Sequence, residues 1–93
     1  MIELGGNIKL IGFNELDRGS LVVIKKITGN YARKISEKAS SDLDELSLEL
    51  KNNGEKSINT SLKIKDKTFN SEVSDNNLFY ALDKALSKLL KEV

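Results

Sequence analysis

Ser74-Asp75-Asn76-Asn77-Leu78-Phe79-Tyr80-Ala81-Leu82-Asp83-Lys84-Ala85-Leu86-Ser87-Lys88-Leu89-Leu90-Lys91 decides the fold of this chain. Leu78, Leu82, Ala85, Leu86, Leu89 and Val93 recur every three or four residues, which puts them on one face of a helix. Asp75 or Asn76 is placed to cap it. The opposite face carries Lys84, Lys88 and Lys91 at i, i+4 and i+7, a stripe about 10 Å long with Tyr80 at its head. The apolar face needs a sheet to cover, and the residues upstream supply one.

Working back along the chain, Phe69, Ser71 and Val73 alternate with Asn70 and Glu72. Ile58, Thr60, Leu62 and Ile64 alternate with Asn59, Ser61 and Lys63, and Leu46, Leu48 and Leu50 with Ser47 and Glu49. These are period-2 strands with one apolar and one polar face. Asn53-Gly54 is a strong hairpin signal between the Leu46 and Ile58 strands, and Asp66-Lys67 predicts a second tight turn before Phe69. The three strands therefore form an antiparallel meander.

Before them, Leu21, Ile24, Ile27, Tyr31 and Ile35 predict a helix from Ser20 to about Ser40, capped by Ser20, or by Asp17 if it starts earlier. Gly29 inside it costs about 1 kcal/mol relative to alanine, so either something packs close there or the helix is locally loosened. Its outer face offers Lys26, Asn30, Arg33 and Glu37, flanked by Lys25 and Lys34. Ile2, Leu4, Ile8 and Leu10 share one parity, which predicts a first strand with a bulge or a close backbone approach at Gly5-Gly6. The expected fold class is α+β in the order βαβββα: a four-stranded sheet with two helices packed on one face, in a single domain spanning residues 1–93.

Composition removes whole classes of function. The 93 residues contain no cysteine and no histidine, so thiolate chemistry and the commonest zinc ligand and general base are absent. Asp42, Asp44 and Glu45 are the one dense acid cluster, and a solvated connection between helix and strand accounts for it. Gly5-Gly6 lacks the later glycine, lysine and hydroxyl of a phosphate-binding loop, and the Gly29 region lacks the second glycine of a KH loop. No enzyme, cofactor or metal is expected. The N-terminus has no signal-peptide pattern and no apolar run is long enough to cross a membrane, which points to a cytoplasmic protein without a membrane partner.

The formal net charge is only +1, but it is unevenly spread. Residues 1–41 carry seven Lys/Arg against four Asp/Glu, residues 42–75 carry five against eight, and residues 76–93 carry three against two. Positive charge thus belongs to the helices and negative charge to the strands. Two readings compete for the cationic faces: ordinary solvation of surface helices, or a surface for a phosphate backbone.

Asn77-Leu78-Phe79-Tyr80-Ala81-Leu82-Asp83 resembles the Asp-Met-Tyr-Ala-Ala-Ile-Asp segment that opens the last helix of the ribosome hibernation-promoting factor and protein Y family (sigma-54 modulation protein-like). Ile2-Glu3-Leu4-Gly5-Gly6-Asn7-Ile8 is similar to that family's first strand. Asn77 stands in place of the motif's acid and Tyr80 in place of a small residue. The resemblance implies the short, single-domain form of a dsRBD-like protein that binds ribosomal RNA on the small ribosomal subunit, in the channel used by messenger and transfer RNA. Mapped by face, the RNA-binding residues it implies are Lys25, Lys26, Arg33 and Lys34 on the first helix and Lys84, Lys88 and Lys91, with Tyr80, on the second. The alternative function is a protein-interaction module or homodimer that uses the sheet's polar face or edge.

Overall fold

A computed structural model describes residues 1–93, apart from the side chain of Asn53. The elements are β1 (Ile2–Leu4), β2 (Ile8–Ile11), α1 (Arg18–Ala39), β3 (Glu45–Asn53), β4 (Glu55–Ile64), β5 (Lys67–Asp75) and α2 (Leu78–Glu92). The sheet is five-stranded and mixed, in the order β1-β2-β3-β4-β5. Only β2 and β3 run parallel, because α1 carries the chain back across the sheet between them.

The expectation of four strands is corrected here. The first apolar stretch is a hairpin, with Leu4 opposite Ile8 and Ile2 opposite Leu10. Gly5 and Gly6 have φ of 62° and 82°, and two successive left-handed residues reverse the chain where a bulge or a close backbone approach was expected. The periodicity conceals this reversal. A three-residue connection pairs residues of equal parity, so apolar residues alternate through the turn as they would along one straight strand.

The meander is as expected, with Leu46 opposite Leu62 and Ile58 opposite Val73 on its inner face. Its second turn lies one residue earlier than read. Lys65 and Asp66 are the central pair, both left-handed, with Ile64 opposite Lys67. That is the pair of positive φ values a two-residue type I′ turn requires. The hairpin expected at Asn53-Gly54 joins β3 to β4, with Asn53 opposite Glu55 and Gly54 at φ 90° between them.

Asp17, the second of the two caps considered for α1, accepts from Ser20 N at 3.2 Å and from Ser20 Oγ at 2.6 Å. These hydrogen bonds, led by the hydroxyl, hold the Asp17 carboxyl below its ordinary value. Ser40 ends the helix in the left-handed conformation. The core face of α1 is Ile24, Thr28, Ala32 and Ile35, whereas Ile27 and Tyr31 are half-buried on the side facing α2. Gly29 is exposed, and a Cβ there would meet nothing within 4 Å. Neither a close contact nor a break in the helix explains it.

The cap of α2 is Asn77, whose Oδ1 accepts from Tyr80 N at 3.1 Å, and not Asp75 or Asn76. Asp75 is still paired with Lys56 in the sheet, so the helix cannot start sooner. Leu78, Leu82, Ala85, Leu86 and Leu89 are buried as expected, together with Ala81. One polar link crosses this layer. Buried Thr60 bonds to the Ser71 hydroxyl, which donates to the Ala85 carbonyl of α2 at 3.0 Å. That link explains why polar side chains occupy the inner face at those two positions.

Candidate nucleic-acid interface

Both helices lie on one side of the sheet and leave its other side to solvent. They run in the same direction. Tyr31 Oη donates to Asp83 Oδ1 at 2.8 Å, and Lys38 Nζ donates to the Leu90 carbonyl at 2.7 Å. Each pair is separated by 52 residues, so the two helices keep a constant level along this length. Partial burial, with Asp83 adding to it, pushes the Tyr31 phenol above its ordinary pKa and keeps it a donor. Lys38 supplies a cation at the carbonyl end of α2, where the helix dipole favours one. It was not singled out from the sequence, since its role depends on which helix lies beside it.

All eight residues expected to bind RNA are exposed: Lys25, Lys26, Arg33, Lys34, Tyr80, Lys84, Lys88 and Lys91. The structure does not gather all of them. Successive helical residues turn by about 100°, so Lys26 and Arg33 stand nearly opposite the buried Ile24, at the crest of α1. Lys34 leans toward α2, with its Nζ 5.3 Å from the centroid of the Tyr31 ring. Tyr80, Lys84 and Lys91 form one line along the crest of α2, and Lys84 Nζ lies 5.5 Å from the Tyr80 ring centroid and 3.3 Å from its hydroxyl. Lys25 and Lys88 are turned to the outer flanks of their helices, away from the seam.

The electrostatics favour an anionic partner on this side. The two helices together carry nine Lys/Arg against three Asp/Glu. Arg33 forms an exposed ion pair with Glu37 at 3.6 Å, a contact worth little in water. Among the described residues no other helix cation has a carboxylate within 4.0 Å. On the sheet's outer face, by contrast, two cations have carboxylate partners, Lys9 beside Glu45 at 3.8 Å and Lys51 beside Glu49 at 3.9 Å.

Nothing comparable forms around the acid cluster. Among the described residues no three potential ligands converge on a metal site. Glu45 is occupied by Lys9 and by the Ser47 hydroxyl, and the concavity beside Gly5 and Gly6 includes Asp42 but neither Asp44 nor Glu45. Among the described residues no helix is long and apolar enough to cross a membrane.

Comparison with known proteins completes the description. The sequence matches no protein-family model and no curated protein. Among solved structures, the chain is similar to the Thermus thermophilus protein Y N-terminal domain, with a TM-score of 0.75 at 22% identity over 92% of this chain and 93% of that one. It is also similar to a ribosomal subunit interface protein from Coxiella burnetii, with a TM-score of 0.67 at 14% identity over 92% of this chain and 89% of that one. The resemblance read from the first and last elements is thus met in three dimensions: this chain has the fold of the protein Y N-terminal domain.

Proposed function

We propose that this chain is a non-catalytic RNA-binding protein that associates with the small ribosomal subunit in the cytoplasm and modulates translation, as a hibernation-type factor does. The outer faces of α1 and α2 are the contact surface, a dsRBD-like use of helices backed by a sheet. One observation carries the reading: nine helix cations against three acids, almost all without carboxylate partners, on the exposed layer of a fold shared with a protein Y N-terminal domain and a ribosomal subunit interface protein. Lys26, Arg33, Lys34, Lys84 and Lys91 line the crests and seam and take the nearest phosphates. Lys25 and Lys88 extend the footprint to either side. Tyr80, held by Lys84, offers a ring to a base or sugar.

The test is co-sedimentation with purified small ribosomal subunits. The triple substitution Lys84→Glu, Lys88→Glu and Lys91→Glu is expected to abolish it while leaving the circular dichroism spectrum unchanged. Normal co-sedimentation of the folded triple variant would remove α2 from the interface.

A second reading rests on β5, an outermost strand of nine residues with only one neighbour, β4. Such an edge accepts a further strand from a partner or a second copy. A stable dimer with no RNA affinity at moderate salt would favour this reading.

A further inference from the structure

The start of α2 leaves an opening in the helix layer. With paired residues 52 apart, Leu78 lies level with Lys26, so the first turns of α1 extend beyond the end of α2. A concavity fills that space. Phe79 walls it, Leu16 and Leu78 form its apolar lining, and Ser20, Asn76 and Asn77 stand at its rim with Lys56 of β4. Asp17 also lines it, with each carboxylate oxygen accepting one hydrogen bond from Ser20.

Phe79 is 37% exposed, on a helix whose core face is complete without it. Its neighbour Tyr80 is 51% exposed and begins the lysine line. The Asn77 side-chain Oδ1 already accepts from Tyr80 N, which leaves its side-chain N–H groups to donate outward. Asn76 has no side-chain partner among the described residues and offers both donor and acceptor. An aromatic wall, an apolar lining, amides at the rim and one ammonium suit a flat ligand with apolar faces, a hydrogen-bonding edge and a nearby anion. A nucleotide has that chemistry. An aliphatic protein side chain would use the lining and leave the amides and Lys56 unmatched.

Resting on the RNA-binding reading above, we propose that this opening receives one unstacked nucleobase of the RNA held by the helix crests, set against Phe79 with its phosphate toward Lys56. Unpaired bases in RNA are recognised in this manner, by stacking on aromatic rings and by hydrogen bonds at their edges.

Two measurements test it. In the first, the isotopically labelled chain is titrated to millimolar concentrations with each of the four nucleoside 5′-monophosphates, and separately with ribose 5-phosphate. At least one mononucleotide is expected to shift the amide resonances of Ser20, Asn76, Asn77 and Phe79, while ribose 5-phosphate does not. Shifts of equal size with ribose 5-phosphate, or none with any mononucleotide, overturn the inference. In the second, Phe79→Leu and Phe79→Ala are each expected to weaken binding to small ribosomal subunits by roughly tenfold without changing its salt dependence. Phe79→Leu keeps the apolar volume, so its fold survives if Phe79→Ala proves unstable. Unchanged affinity in the folded Leu variant overturns the inference. If the wild-type chain fails to bind subunits while a mononucleotide still shifts these resonances, the ribosome reading fails and the base site stands.

Discussion

Neutralising Lys84, Lys88 and Lys91 with glutamine gives the sharpest quantitative test of the helix surface. Each phosphate neutralised contributes about −0.7 to −0.9 to the slope of log K against log salt. Seven of the exposed helix cations are the proposed contacts: Lys25, Lys26, Arg33, Lys34, Lys84, Lys88 and Lys91. If all seven engage phosphates, the wild-type slope is about −5 to −6, and raising salt from about 50 to 200 mM weakens binding on the order of 10³-fold. Removing three of them flattens the slope by about 2 to 3, so the same rise in salt costs on the order of 10²-fold. Glutamine keeps the length and the helix propensity of lysine, so the fold is spared. The assay is equilibrium binding of fluorescently labelled chain to purified small subunits across a salt series. Lys51→Gln with Lys63→Gln on the opposite, sheet side serves as the control and leaves the slope unchanged. A triple variant with the wild-type slope, or a control pair that flattens it equally, refutes the argument.

The remaining predictions concern the scaffold and are read by chemical denaturation. Gly12→Ala destabilises by about 2–4 kcal/mol, since Gly12 has φ 82° and a Cβ would lie 2.6 Å from the Leu50 carbonyl oxygen of central strand β3; a loss under about 1 kcal/mol contradicts this geometry. Gly29→Ala adds up to about 1 kcal/mol, because the site is open and helical. Thr28→Val adds about 1 kcal/mol by removing a fully buried hydroxyl with no partner among the described residues, and a loss of stability would mean that the hydroxyl is bonded. The folded-state pKa of Asp17 is lowered, so its cap stabilises the fold above the ordinary carboxylate range and the contribution is lost as pH falls through the depressed value. Asp17→Asn removes that part of the acid dependence, measured as the change in unfolding midpoint between neutral and acid pH.

Much of this architecture is legible in the residues, and the failures have physical causes. The apolar face of α2 is correct because its large side chains Leu78, Leu82, Leu86 and Leu89 all face the sheet, where a 3.6-residue period is unambiguous. That of α1 is read about one residue off, since Ile27 and Tyr31 turn toward α2 while the smaller Thr28 and Ala32 face the sheet. A helix with two neighbours has two half-buried flanks, and large side chains favour the roomier one. The missed hairpin at Gly5-Gly6 follows from parity, as argued above. The Lys65-Asp66 turn was misplaced because lysine carries no signal for a left-handed position.

For the candidate site, exposure of the basic residues and the Tyr80–Lys84 contact follow from i, i+4 spacing. What one helix cannot reveal is how it sits beside another. The parallel arrangement sets Lys34 toward the seam and Lys25 away from it. It also gives Lys38 its place at the end of α2 and leaves the opening at Phe79. The visible signal for Phe79 was an aromatic residue outside the apolar stripe of its helix.

The central claim is that the helix side, and not the sheet side, meets ribosomal RNA. Photo-crosslinking tests it most directly, with a photoreactive side chain placed singly at Lys84, at Lys26, and at Asn59 on the sheet's outer face, each variant bound to intact ribosomes. The account predicts crosslinks to small-subunit RNA from Lys84 and Lys26 and none from Asn59. Crosslinks from Asn59 alone would contradict it.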